Sequence, residues 1–312
     1  MTDQLTIQNY ASIWTSSLDN HLLASVLENE YVVAAIIGVI EGLTEFLPVS
    51  STAHIRFTQG ILELSAEDPY WKMFAIVIQL GAILSVLVYF WKRIKEFLAS
   101  FPLWSKSESQ VKNWWTHPLS LVILSFVVTA IPCFLMDKFI GENLESLAIM
   151  GWALLIGGIV MWLVDRQFSH RATTKQMEDI TIKQAIIIGL AQIAAATFPG
   201  ASRSMSTIAG GQIMGLSRTA ALEFSFFLSI PVMIAATTFK LLQFVLKSPD
   251  PIPADRWLVL AVGFVVSFFV AWAVIAWFMD WVKKRGFVPF AIYRMIVGAI
   301  VLWIVYSQSN GA

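Results

Sequence analysis

The segment Glu41-Gly-Leu-Thr-Glu45-Phe-Leu-Pro48-Val-Ser50-Ser51-Thr52-Ala-His54 gathers two carboxylates, several hydroxyls and an imidazole around one proline, inside an otherwise apolar stretch. On a helix, Glu41 and Glu45 lie four residues apart and share a face. Two carboxylates there repel unless a cation or a shared proton relieves them. After Pro48 the chain should restart as a helix capped by Ser50 or Ser51, and the free N–H groups and dipole of that start make an anion site. Ser51 and His54, three residues apart, can both face it. A second segment, Phe198-Pro199-Gly-Ala-Ser202-Arg203-Ser204-Met-Ser206-Thr207, offers another helix start with three serines and one fixed positive charge. A guanidinium grips phosphate oxygens through two parallel hydrogen bonds, which makes Arg203 a phosphate clamp. Its plainer role is an ion pair with Glu41 or Glu45 that fastens the two segments, and both roles can coexist. The plain alternative for the first segment is a hydrogen-bonded kink around a neutral acid, but ionisable groups at membrane depth are functional by default.

These residues need elements to hold them, and composition says in what solvent. With 57% apolar residues, 13% charged residues and a mean hydropathy of +0.70, the chain falls in the membrane class. Equal numbers of basic and acidic residues, 21 of each, leave no footprint for nucleic acid. The one cysteine, Cys133, allows neither an intrachain disulfide nor a thiolate cluster. Residues 1 to 31 hold four acids and no Lys or Arg, so they lack the basic front of a cleavable signal; an outer-surface or interfacial segment is expected there.

Stretches long enough to span a bilayer run from Met73 to Trp91, Pro118 to Met136, Leu147 to Val164, Ala220 to Leu246, Trp257 to Met279 and Val288 to Tyr306. Basic links stay cytoplasmic. Lys92, Arg93, Lys95, Lys106 and Lys112 therefore lie inside, as do Arg166, Arg171, Lys175, Lys183 and Lys283-Lys284-Arg285. The Lys138 link with Asp137, Glu142 and Glu145, the acidic 249–255 link and both termini then lie outside. Two further apolar segments, Val32 to Leu62 and Gln184 to Gly215, are broken near their middles and do not fit this count. They are expected to be re-entrant hairpins of opposite sense. Irregular backbone at that depth is tolerated only beside protein or a water-filled cavity, so both breaks should face one interior site.

Shifting the chain by 151 positions aligns Ile37-Gly38-Val39 with Ile188-Gly189-Leu190, Pro48 with Pro199 and Ser51 with Ser202 without a gap. The fold expected is all-α and membrane-embedded, with six spans and two re-entrant helix pairs in an inverted-topology repeat. Residues 32–312 form a single membrane domain, with repeats at about 32–164 and 184–307. Such folds carry their site near the midplane, where discontinuous helices meet. Arg294, Glu223 and Gln79 are expected to line that cavity or to tie helices together. His117 and His170 lie beside loops and should be solvated, and Trp91, Trp257 and Trp281 at span ends read as interfacial anchors.

The motifs EGLTEFLPVSSTAH and PGASRS, with PFAIYR at Pro289 to Arg294, closely resemble the undecaprenyl-diphosphate phosphatases of the bacitracin-resistance type over about residues 32 to 307. The resemblance implies removal of the terminal phosphate of undecaprenyl diphosphate in the bacterial inner membrane, giving the monophosphate carrier for peptidoglycan and other envelope polysaccharides. It implies essential roles for Glu41, Glu45, Ser51, His54 and Arg203, and a divalent cation, Mg²⁺ or Ca²⁺, held by Glu41 and Glu45. Ser50, Thr52, Ser202 and Ser204 join Arg203 as phosphate-binding groups. The chain departs from the family at Met205 and Ala53, where Gly is usual, adding bulk beside the proposed site. Ser51 is the expected nucleophile, with a carboxylate or His54 taking its proton; direct attack by His54 or by a metal-bound water is the variant. The partners expected are the lipid substrate and membrane lipids; a homo-oligomer is compatible with both. The rival class is a transporter that moves a lipid phosphate between leaflets, since inverted repeats and broken helices also build transporters.

Overall fold

The computed structural model describes residues 29–65, 68–102, 114–143, 146–247 and 253–309. Residues 1–28, Lys106, Lys112, Glu145 and residues 249–252 of the acidic link lie outside the described residues, so the expectations placed on them do too. The described residues form α1 (Glu30–Thr44), α2 (Ser51–Ile61), α3 (Pro69–Tyr89), α4 (Trp91–Ser100), α5 (Pro118–Asn143), α6 (Leu147–Phe168), α7 (Ile182–Thr197), α8 (Arg203–Ile213), α9 (Arg218–Lys247), α10 (Ala254–Arg285) and α11 (Val288–Ser309). Six of them, α3, α5, α6, α9, α10 and α11, are long and apolar enough to cross a membrane. Their spans lie within a few residues of the hydropathy reading. The chain is a multi-pass membrane protein of all-α architecture.

One end of the bundle is marked by ion pairs between sequence-distant basic and acidic groups. Arg93 after α3 pairs with Glu178 at 2.6 Å and with Glu223 of α9 at 3.0 Å. Arg218, at the start of α9, grips Asp165 of α6 at 2.7 and 2.9 Å. The same carboxylate accepts from Gln212 at 3.0 Å and from the Phe287 backbone N–H at 3.1 Å. The ends of α3, α6, α8 and α10 and the starts of α9 and α11 therefore share this basic end. Glu223 is thus a tie between helices. The opposite end holds Arg256 of α10 against Glu30 of α1 at 3.2 Å and against the Tyr70 ring of α3.

The helix pair α1/α2 starts and finishes at the Arg256 end, where Val33, Leu62, Tyr70 and Trp71 share one apolar cluster. The pair α7/α8 starts and finishes at the basic end, where Gln184 donates to the Met214 carbonyl at 3.0 Å. Each pair thus returns to the end of the bundle from which it set out, and the two do so in opposite senses. Packing follows the same exchange: α1 lies on α10 and α7 on α5, while α3 meets α9 and α6 meets α11. Gly38 and Gly189 permit the first two contacts. An added Cβ would stand 2.6 Å from the Gly263 carbonyl at Gly38, and 2.7 Å from the Ser125 carbonyl at Gly189. Small residues let membrane helices approach where no hydrophobic drive pulls them together.

Two expectations need correction. His117 is buried, at 2% exposure, with its Nδ1 accepting from the Leu119 N–H at 3.2 Å and its Nε2 3.2 Å from Ser100 Oγ. It caps the start of α5 instead of facing water. The ungapped repeat register also slips after the prolines: the caps that correspond are Ser50 and Ser202, each preceding its helix, so Ser51 pairs with Arg203. One extra residue, in the Gly200-Ala201 step, accounts for the slip. His170 is exposed, as expected.

Replacing Gly38 or Gly189 by Leu should each lower the thermal unfolding midpoint in detergent, on an overpacking cost of about 1–3 kcal/mol. An unchanged midpoint for both would remove the close-approach role assigned to them.

Candidate active site

Both helix breaks are built the same way. Ser50 has φ 74° and ψ 95°, and Ser202 has φ 73° and ψ 118°. Non-glycine residues rarely adopt such a conformation, and each costs about 1–3 kcal/mol. In that geometry each hydroxyl turns back to cap its helix: Ser50 Oγ accepts from the Ala53 N–H at 3.5 Å, and Ser202 Oγ from the Met205 N–H at 3.3 Å. Remaining N–H groups at the starts of α2 and α8 have no intrahelical acceptor.

Arg294 of α11 holds both breaks in place from behind. Its guanidinium, 0% exposed, donates to the carbonyls of Pro48 at 3.0 Å, Gly200 at 3.1 Å, Ala201 at 3.0 Å and Ala153 at 3.1 Å, with Leu154 further off at 3.4 Å. Gly157 makes room, since a Cβ there would stand 2.3 Å from Nη2. Gly200, at φ 97°, aims its carbonyl at the guanidinium through a backbone that favours glycine. Ser204 adds a second tie between the halves by donating to the Leu47 carbonyl at 3.0 Å.

In front of the breaks, Ser51 Oγ donates to Glu45 Oε2 at 2.5 Å, and Arg203 Nη2 donates to the other oxygen, Oε1, at 3.2 Å. Arg203 Nη1 donates to the Ser225 carbonyl at 3.2 Å, and its guanidinium lies 5.8 Å from the centre of the Phe46 ring. The Arg203 Nε–H is buried without a partner. Glu45, Ser51 and Arg203 line a cavity of about 410 Å³, together with Ser50, Thr52 and Ser202. Gln79 lines it too, in line with one of its two expected roles. The wall from Phe126 to Phe134 on α5 and Val232 to Phe239 on α9 is apolar apart from Thr129, and exposed Lys240 also lines the cavity. Since α9 starts at the basic end, the cavity runs from the breaks towards the opposite end.

Not every expected residue joins this group. Glu41 is fully buried and does not line the cavity, and both of its carboxylate oxygens lack a hydrogen-bond partner. His54 is also absent from the lining. Its ring stacks on Tyr293 with centroids 5.7 Å apart, Nδ1 donates to the Ser50 carbonyl at 2.7 Å, and Nε2 meets the Tyr293 hydroxyl at 2.8 Å. A carbonyl cannot donate, so Nδ1 carries a proton, and in the neutral imidazole Nε2 accepts from the tyrosine. Ser204 lies beneath the surface, bonded to Leu47 and 3.1 Å from Ser202 Oγ. Met205 and Ala53 are buried in the packing behind the cavity, with the Met205 tip against Gly157. Their added bulk therefore falls outside the lining.

A divalent cation is compatible with these donors. A buried carboxylate pair must be relieved by a shared proton or by a cation, and Mg²⁺ commonly takes only one or two protein carboxylates, filling its shell from water and phosphate oxygens. Glu41 and Glu45 are such a pair. Among the described residues no larger His, Cys, Asp and Glu group is present.

Comparison with known proteins bears on this geometry. The family model described as bacitracin resistance protein BacA matches residues 34–300. The chain is 55% identical over 283 residues to the undecaprenyl-diphosphatase of Koribacter versatilis, covering 88% of this chain and 98% of that protein. It is 39% identical over 275 residues to the enzyme of that name from a Thermoanaerobacter species, covering 88% and 97%. For that of Bdellovibrio bacteriovorus the identity is 36% over 278 residues, covering 89% and 97%.

Arg294→Met leaves several buried carbonyls unsatisfied at about 1–3 kcal/mol each. It should lower the unfolding midpoint sharply and abolish function, although Arg294 does not line the cavity. Arg294→Lys keeps the charge but not the fan of donors, so it should fall between. Near-normal stability of Arg294→Met in a thermal melt would refute the bracing role.

Proposed function

Because the chain belongs to the bacitracin resistance protein BacA family, we infer that it is an undecaprenyl-diphosphatase, a membrane enzyme that cleaves undecaprenyl diphosphate to the monophosphate and inorganic phosphate. The observation that best supports a mechanism is the 2.5 Å hydrogen bond from Ser51 to Glu45 beside Arg203. A hydroxyl becomes a competent nucleophile when an adjacent base takes its proton. In this reading Ser51 Oγ attacks the terminal phosphorus while Glu45 accepts the proton. The bond from that phosphorus to the bridging oxygen breaks, and undecaprenyl phosphate leaves. Water then cleaves the phosphoserine, releasing inorganic phosphate and restoring the hydroxyl.

Arg203, with its Nε–H free, and the backbone N–H groups at the starts of α2 and α8 hold the phosphoryl oxygens as charge builds on them. Thr52 and Ser202 lie close enough to the same lining to share in that binding. Glu41 and Glu45 would hold the divalent cation, Mg²⁺ or Ca²⁺, whose charge offsets that of the diphosphate. His54 acts by position here: its bond to the Ser50 carbonyl and its contact with Tyr293 keep the start of α2 in place. The protein sits in the bacterial inner membrane with both broken helix pairs re-entrant. Basic links on the cytoplasmic side turn the cavity mouth to the outer face. The polyprenyl tail follows the apolar wall between α5 and α9 into the bilayer.

Ser51→Ala should reduce phosphate release from a C55 diphosphate in detergent by about a thousandfold or more, and wild-type protein should yield a trappable phosphoserine at Ser51. Near-normal turnover of the alanine variant would sink the nucleophile assignment. Removing divalent cations with a chelator should stop release, and Mg²⁺ or Ca²⁺ should restore it. Activity that survives exhaustive chelation would remove the cation from the mechanism.

A further inference from the structure

Gln192 of α7 is the repeat counterpart of Glu41, at the same offset that aligns Gly38 with Gly189. It is 2% exposed, lines the cavity, and has no hydrogen-bond partner at either Oε1 or Nε2. Ala195 and Ala196, which follow at helical spacing, line the same cavity, so one face of α7 is turned to it. Buried amides are nearly always bonded, and an orphaned one is costly enough that an apolar residue would serve packing better. The chemistry of the position also differs between the halves. A carboxylate facing an anion would repel it, whereas an uncharged amide offers two N–H donors.

We propose that Gln192 is a phosphate-binding residue, donating an Nε2–H to an oxygen of the substrate's diphosphate from the wall formed by α7. The proposal rests on the phosphatase reading above and adds to it a binding group in the second repeat, independent of Arg203. Binding then removes the cost of the orphaned amide, so the donor contributes to substrate affinity more than to the stability of the empty protein.

The test compares wild type with Gln192→Met, which keeps length and burial but removes both donors. The measurements are KM and kcat for a C55 diphosphate in detergent, inhibition by inorganic phosphate, and the thermal midpoint. The proposal expects Gln192→Met to melt at or above the wild-type temperature, with KM raised about tenfold or more. Inhibition by inorganic phosphate that weakens in parallel assigns the contact to the phosphoryl group that is released. Inhibition that stays unchanged assigns it to the phosphate that remains on the lipid. Unchanged KM and unchanged phosphate inhibition overturn the proposal. Where Gln192→Met does not fold, the isosteric Gln192→Glu decides: it must raise KM more steeply, because a charge now opposes the anion, and an unaltered KM overturns the proposal equally. Wild-type protein that releases no phosphate refutes the phosphatase reading itself, whereas active wild type with an unaltered Gln192→Met refutes only this inference.

Discussion

Breaking a helix inside an apolar interior strands backbone carbonyls, and one guanidinium resolves that at both breaks. Arg294 donates to Pro48 in the first repeat and to Gly200 and Ala201 in the second, all between 3.0 and 3.1 Å. In a membrane such groups have no water to fall back on. With those carbonyls pinned, Ser50 and Ser202 are held at positive φ, and α2 and α8 begin where Ser51 and Arg203 both reach Glu45. The strain at the two serines persists because the surrounding bonds over-determine it. The positions of Ser51, Glu45 and Arg203 are thus set by a residue that does not touch them.

The duplicated frame carries unequal chemistry. Equivalent backbone places hold Ser51 and Arg203 at the first helical position, and Glu41 and Gln192 one side of the break. Glu45 has Ala196 as its counterpart, and His54 has Ser206. The first repeat therefore contributes hydroxyl and carboxylates, and the second contributes cation and amide. A diphosphate needs both, because a group that attacks it and takes a proton must work beside groups that hold negative charge. Two like carboxylate clusters facing each other would repel the substrate and one another.

Much of this was legible in residue types. The spans, the two breaks and the pairing of Arg203 with either Glu41 or Glu45 follow from hydropathy, proline position and the scarcity of charge in apolar runs; that Glu45 is the partner comes from the structure. The ion pair weighed as the plainer role of Arg203 is present as its bond to Glu45, and its Nε–H is left without a partner. What escaped the sequence depends on direction. Periodicity puts Ser51 and His54 on neighbouring faces, but the Tyr293 hydroxyl and the Ser50 carbonyl decide where the imidazole turns. Tyr293 sits in the PFAIYR run beside Arg294, and nothing in spacing alone distinguishes it from a lipid-facing tyrosine. His117 looked solvated because it borders a loop, yet Phe97 and Phe101 enclose it. The one-residue slip between Pro199 and Ser202 is invisible without backbone angles, since serines stand at both 50 and 51.

The same bonds bear on whether such a frame hydrolyses its lipid in place or carries it across. Alternating access in repeat-built transporters is largely one repeat rocking against the other about a fixed site. Here the repeats are joined at that site by Arg203 to Glu45, by Ser204 to the Leu47 carbonyl, and by Arg294 to Pro48. At the basic end, Arg218 and Gln212 of the second repeat converge on Asp165 of the first. Rocking would have to break several buried bonds together, some of them to charged groups worth about 1.5–3 kcal/mol each. A lipid that entered along the α5 and α9 wall would therefore meet a floor that is braced rather than hinged. Bracing of this kind suits a reaction that needs its donors fixed where charge develops, and it opposes the motion that transport requires.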